Sequence, residues 1–85
     1  MPLVNILKRV IYEKGRRSDC SIYISISLAY MEKQDWIEAR IFLKLAQQTR
    51  ESYEEQVSIE LIKSVLQSEN VKDSMLLLAS IKEES

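Results

Sequence analysis

The stretch from Tyr23 to Ala46 reads YISISLAYMEKQDWIEARIFLKLA, and it decides which fold the sequence predicts. In residues 21–30, isoleucine and leucine alternate with serine and tyrosine, and this alternation by itself indicates a β-strand. No second alternating run exists to pair with it, and a lone strand is not stable. We therefore interpret residues 21–30 as a helix that is apolar on two sides, with a strand as the alternative.

The second half of the stretch has the spacing of a helix. Apolar and small residues recur there every three or four positions, as on one helical face: Trp36, Ala39, Leu43 and Ala46. A polar break at residues 32–35 precedes this helix, and Asp35 is placed to cap it. On the preceding helix, the side expected to face it carries Tyr23, Ile26, Ser27 and Tyr30. Small residues on both sides would let the two antiparallel helices approach closely.

The composition favours a small helical domain. The chain of 85 residues has room for one domain, and its single glycine and single proline leave little material for the turns of a sheet. Hydrophobic residues make up 46% and charged residues 29%, the balance of a globular chain. The predicted fold class is all-α, with about five short antiparallel helices near residues 2–14, 21–30, 36–49, 53–67 and 71–81.

Local signals mark the ends and faces of the other helices. Gly15 is expected to end the first helix, and Ser18 or Asp19 to begin the second. In the fourth helix, four apolar residues are expected to face the core: Val57, Leu61, Ile62 and Val65. The fifth helix carries apolar residues at Val71, Met75, Leu78, Ala79 and Ile81.

The spacing Tyr23-x2-Ile26-Ser27-x2-Tyr30, followed by Ala39-x3-Leu43, resembles the tetratricopeptide repeat pattern W-x2-L-G-x2-Y followed by A-x3-F. The resemblance implies right-handed helical hairpins within a single domain, residues 1–85. An N-terminal helix (1–15) would precede one repeat-like unit (20–51) and a degenerate second unit (55–83). The sequence departs from the pattern at the turn, where Gln34 replaces glycine.

In that family, ligands usually lie along the inner side of the first helix of each repeat. Carried onto this chain, the resemblance implies a partner-binding groove formed by Ile24, Leu28, Met31, Ile59, Lys63 and Leu66. Such an apolar groove would suit an amphipathic helix or an apolar extended segment. The alternative is that the first helix, Leu3 to Ile11, covers Ile24 and Leu28 and leaves no groove there.

The residues that usually carry catalysis are scarce. Histidine, the commonest general base and metal ligand, does not occur in the sequence. Cys20 is the only cysteine, so it has neither a histidine to activate it nor a disulfide partner. No glycine-rich loop exists to hold a phosphate, and the Glu54–Glu55 pair is expected to be solvated. We predict that the protein is not an enzyme and uses no cofactor and no metal.

The leading functional hypothesis is a protein–protein interaction adaptor or small chaperone that binds an apolar or amphipathic helical segment of another protein. Its size and helical plan are similar to those of the repeat-containing subunit of type III secretion needle chaperones, which works with a second small helical protein. One alternative is a self-associating, homodimeric structural protein. Another is a small nucleic-acid-binding regulator using Arg9, Arg16 and Arg17, although the net charge of −1 weighs against it.

The sequence also predicts where the protein acts. Lys8 and Arg9 follow the first apolar residues, which is the reverse of the order in a signal peptide. No apolar stretch approaches the ~18 residues that a membrane-spanning helix needs. A lone cysteine fits a reducing compartment. We therefore expect a cytoplasmic protein without a membrane segment.

Overall fold

The computed structural model describes residues 2–13 and 18–83. Within these ranges the chain forms five helices and no strand: α1 (Pro2–Tyr12), α2 (Asp19–Glu32), α3 (Trp36–Thr49), α4 (Tyr53–Ser68) and α5 (Val71–Lys82). The prediction of an all-α fold is confirmed, and the alternating residues 21–30 lie entirely within α2. The predicted cap at Gly15 lies outside the described residues.

Reciprocal hydrogen bonds begin α2 and α4. At α2, the Ser21 backbone N–H donates to the Ser18 hydroxyl at 3.1 Å, and the Ser18 N–H donates to the Ser21 hydroxyl at 3.0 Å. At α4, the Glu55 N–H donates to the Ser52 hydroxyl at 3.1 Å, and the Ser52 N–H donates to the Glu55 carboxylate at 3.1 Å. Both are capping boxes, which satisfy backbone donors that a helix start leaves free. Ser18, one of the two predicted caps, is therefore the N-cap of α2.

The turn between α2 and α3 closes by a backbone motif. The Gln34 N–H donates to the Met31 carbonyl and the Asp35 N–H to the Tyr30 carbonyl, each at 2.9 Å, which is the Schellman pattern. Gln34 has a φ of 62°, in the left-handed region that favours glycine. Asp35 occupies the N-cap position of α3, but its side chain makes no capping hydrogen bond. The predicted capping role of its carboxylate is therefore wrong, and the backbone geometry of this short turn determines where α3 begins.

Small residues bring α2 and α3 together, and this helix pair has the most extensive contact in the fold. The Ser27 hydroxyl donates to the Ala39 carbonyl oxygen at 2.7 Å, and Ala46, further along α3, is fully buried. The Phe42 ring stacks on Tyr30, with 5.5 Å between ring centroids, and lies 6.2 Å from the ring of Tyr23. The side of α2 predicted to face α3 therefore does face it.

Helix α4 packs against α1 and α3 and also contacts α2 and α5. Ile62 is buried as predicted, but the predicted inward residues Val57, Leu61 and Val65 are only half-buried. The most buried apolar positions are instead Ile59, Ile62 and Leu66, with at most 1% of each residue exposed. Because α1 covers a second side of α4, the buried face is rotated relative to the prediction.

Helix α5 lies against α1, α2 and α4 and pairs closely with none of them. Its buried residues are Ser74, Leu77, Leu78 and Ile81. Of the apolar residues noted on this helix in the sequence, Leu78 and Ile81 are buried, whereas Val71, Met75 and Ala79 are exposed. The α4–α5 pair thus lacks the close, small-residue contact that joins α2 to α3.

Candidate partner-binding site

The six residues predicted to bind a partner do not form one surface. Ile24, Met31 and Ile59 have no exposed area and lie in the core, together with Val4 and Leu7 of α1. This is the arrangement expected if α1 covers the apolar side of α2. The other three residues border two separate depressions: Leu28 borders one, and Lys63 and Leu66 border the other.

The first depression, here called the α1–α2–α5 cleft, has a volume of about 260 Å³. Its lining residues come from the end of α1, the outer side of α2 and the end of α5, and they are mostly apolar: Ile11, Tyr12, Ser25, Leu28, Ala29, Glu32, Leu78, Ile81 and Lys82. The two charged members form a salt bridge, with 2.7 Å between Lys82 Nζ and Glu32 Oε1. Burying this lining would therefore leave no unpaired charge.

Two small residues mark the α2 side of the cleft. Ser25 and Ala29 are one helical turn apart, and both are exposed. The Ser25 hydroxyl donates to the Ser21 carbonyl oxygen at 3.0 Å, so its donor is already satisfied. An apolar group can therefore cover this hydroxyl without leaving its donor unpaired. The sequence pattern did not single out these two residues, since small exposed side chains add nothing to a hydrophobic stripe.

The second depression, here called the α3–α4 groove, also has a volume of about 260 Å³. Its lining combines two apolar side chains with basic and amide side chains: Arg40, Leu43, Lys44, Gln47, Lys63, Leu66 and Gln67. Arg40 donates to the Leu66 carbonyl oxygen at 3.1 Å and also pairs with Glu69. Two of the six predicted residues, Lys63 and Leu66, therefore meet here on the side of α4 that faces α3.

Glu55 joins the starts of α2 and α4, and the prediction that it is solvated is wrong. Only 7% of the residue is exposed. Its carboxylate accepts hydrogen bonds from the Ser18 hydroxyl at 2.5 Å and from the Glu51 N–H at 2.7 Å, in addition to the Ser52 N–H. Burial acts to raise the pKa of Glu55, but these hydrogen bonds outweigh it and lower the pKa below its usual value. The sequence signal for this role was the Ser52-x-x-Glu55 capping box.

The surroundings of Cys20 disfavour the reactive thiolate form. It is fully buried, and this burial, with the nearby Glu55 carboxylate, raises its pKa to about 12. A thiol with that pKa stays protonated near neutral pH, and the thiolate is the nucleophilic form. Among the described residues no group of histidine, cysteine and acidic side chains could hold a metal ion. None of the helices described is long and apolar enough to cross a membrane.

The residues assigned to nucleic-acid binding are only partly placed. Arg9 is exposed on α1, whereas Arg16 and Arg17 lie outside the described residues.

No protein-family model matches the chain, and the searches of curated proteins and of solved structures gave no match either.

Proposed function

We propose that this protein is an adaptor or small chaperone that holds an amphipathic helix of another protein in the α1–α2–α5 cleft. The observation that carries the proposal is the pair Ser25 and Ala29, which lies between the apolar ends of α1 and α5. Small residues on a helix surface allow a second helix to approach closely. Small residues also lie at the contact of α2 with α3 within the molecule, where the Ser27 hydroxyl donates to the Ala39 carbonyl oxygen.

The cleft favours an apolar partner stripe over a polar one. Leu28, Leu78 and Ile81 lie at its base, and each is at most 6% exposed. Tyr12, 62% exposed, stands at its edge and offers an aromatic ring to a bound helix. Each leucine-sized side chain that a partner buries contributes roughly 1.5–3 kcal/mol. Helix-in-groove recognition needs several such anchors, spaced at i, i+3 or i+4, and i+7.

The resemblance to needle-chaperone subunits narrows this proposal to one partner class. In that narrower form, the bound helix belongs to a secretion-needle subunit that aggregates when free, and a second small helical protein completes the complex. The protein would then act in the cytoplasm, before the subunit is exported. The partner class rests on the resemblance in size and helical plan. The compartment rests on that resemblance and on the single cysteine, Cys20, which fits a reducing environment.

A charged residue introduced at an exposed position of the cleft tests the proposal. Leu28→Asp is unsuitable, because Leu28 is 6% exposed and the buried carboxylate would destabilise the fold. Ala29→Glu places the charge in the cleft at an exposed position, and Ala79→Glu is the matched control on the exposed side of α5. Tagged wild type and both variants are used to capture partners from the native cell, and mass spectrometry compares the captured proteins.

We expect Ala29→Glu to lose a partner that wild type and Ala79→Glu both retain. The purified partner must then bind the wild-type protein in solution and fail to bind Ala29→Glu. Equal capture by all three proteins would contradict the proposal. A chain that captures no partner and forms a stable dimer in light scattering would instead support the self-association alternative.

A further inference from the structure

The α3–α4 groove differs from the α1–α2–α5 cleft in its charge. Arg40, Lys44 and Lys63 contribute three cations, and no acidic side chain lines the groove. The whole chain has a net charge of −1, so this concentration of positive charge is local. Between the cations lie two nearly buried apolar residues, Leu43 at 6% and Leu66 at 1% exposure.

The three cations are not equally available. Arg40 is held in place by the Leu66 carbonyl and by Glu69, as described above. Lys44 and Lys63 are exposed, and neither makes a hydrogen bond or ion pair within residues 2–13 and 18–83. The groove therefore presents two unpaired ammonium groups, one on α3 and one on α4, with an ordered guanidinium beside them.

We propose that the α3–α4 groove is a second docking surface, which binds an acidic amphipathic helix of a partner protein. The apolar side of such a helix would cover Leu43 and Leu66, and its carboxylates would pair with Lys44 and Lys63. The side-chain amides of Gln47 and Gln67 can donate to the same carboxylates. Charge complementarity of this kind speeds association and selects against partners of the wrong sign.

The aliphatic floor of the groove, formed by Leu43 and Leu66, favours an acidic protein helix over a nucleic acid as the occupant. A nucleic acid is held mainly by phosphate contacts to basic side chains, and bases are read by hydrogen bonds or by stacking on exposed aromatic rings. The floor of the α3–α4 groove is aliphatic, and no aromatic residue lines the groove. An acidic amphipathic helix can contact both the apolar floor and the cationic edges of the groove. This surface is independent of the α1–α2–α5 cleft, since no residue lines both.

The test uses three synthetic amphipathic helical peptides that share one leucine stripe. Their polar faces carry glutamate, glutamine or lysine. Each peptide is titrated into the isotope-labelled full-length protein, and amide chemical shifts locate the contact. The variants are the double charge reversal Lys44→Glu with Lys63→Glu, and the control Lys72→Glu on the exposed start of α5. Circular dichroism checks that each variant is folded.

The expected result is that the glutamate peptide binds more tightly than the other two and shifts the amides of Gln47, Leu66 and Gln67. The double reversal should weaken this binding about tenfold or more and should let the lysine peptide bind instead. Lys72→Glu should leave the affinity unchanged. Binding of the glutamate peptide should also weaken as salt is added.

Three results would overturn the inference. Equal affinity for the three peptides would show that charge plays no part, and shifts confined to Ser25 and Ala29 would place the contact in the other cleft. Concentration-dependent shifts of Leu66 and Gln67 without peptide would assign the groove to a second copy of the chain. Because Ala29→Glu leaves the α3–α4 groove intact, glutamate-peptide binding by that variant separates this inference from the proposed function.

Discussion

The Ser27 hydroxyl donates a hydrogen bond of 2.7 Å to the backbone carbonyl oxygen of Ala39, and neither residue is exposed. This contact lies at a buried position between α2 and α3, where a side chain larger than serine would have to displace packed atoms. The pair therefore helps to explain why α2 and α3 have the most extensive contact among the described helices.

Replacing Ser27 by leucine should lower the free energy of unfolding by about 1–3 kcal/mol, because overpacking forces the two helices apart. Ser27→Ala keeps the close approach and loses only the hydrogen bond, which costs about 0.5–1.5 kcal/mol. Urea denaturation followed by circular dichroism measures both changes. A leucine variant as stable as the alanine variant would show that the helices are not tightly packed at this point.

Ser74 differs from Ser27 in the hydrogen bonding of its buried hydroxyl. The residue is 1% exposed, and within the described part of the chain its hydroxyl has no hydrogen-bond partner. Ser74→Ala removes an unsatisfied buried group and favours the helix, so it should raise the free energy of unfolding by roughly 0.5–1.5 kcal/mol. The same denaturation measurement applies. Loss of stability in Ser74→Ala would mean that this hydroxyl is hydrogen-bonded in the folded protein.

The turn after α2 contains a residue in an unfavourable backbone conformation. Gln34 has a φ of 62°, and a residue with a Cβ atom pays about 1 kcal/mol there relative to glycine. Gln34→Gly should therefore raise the midpoint of thermal unfolding. Lys33→Gly is the control in the same turn, because Lys33 has a φ of −86° and should lose stability on substitution. If both variants lost stability, Gln34 would not be left-handed in solution.

Glu55 should make the stability depend on pH in the acid range. Its pKa is lowered in the folded protein, so its ionised form stabilises the fold above the usual carboxyl pKa of 4.5. This contribution is lost as the pH falls through the lower, folded-state pKa. Glu55→Gln should cost about 1–2 kcal/mol near pH 7, where the ionised carboxylate accepts three hydrogen bonds, and much less in acid.

Denaturation of wild type and Glu55→Gln at a series of pH values measures this difference. Glu54→Gln is the neighbouring control, which removes a carboxylate from the same helical turn and leaves the three hydrogen bonds to Glu55 in place. A wild-type advantage over Glu55→Gln that persisted unchanged into strong acid would contradict the role assigned to the carboxylate.

The α2–α3 hairpin could be predicted from the sequence because its signals are local. The spacing of Ala39 and Ala46 and the polar break at residues 32–35 lie within one hairpin, and α3 has the predicted ends, Trp36 and Thr49. The faces of α4 and α5 could not be predicted equally well. Both helices are apolar on several sides, and periodicity does not reveal which side α1 covers.

The candidate site shows the same limit. The resemblance placed the predicted binding residues on α2 and α4, but Ile24, Met31 and Ile59 have no exposed area and lie in one core with residues of α1. Contacts of this kind join residues far apart in the chain, and no spacing within a helix encodes them. The exposed pair Ser25 and Ala29 became visible only when the ends of α1 and α5 were placed on either side of it.

The most direct test of the proposed function is a titration of the isotope-labelled protein with the purified helical segment of its captured partner, followed by amide chemical shifts. We predict saturable shifts centred on Tyr12, Ser25, Ala29 and Leu78, which line the α1–α2–α5 cleft, and their loss in Ala29→Glu but not in Ala79→Glu. Binding that left these four amides unshifted, or that survived unchanged in Ala29→Glu, would contradict the proposal.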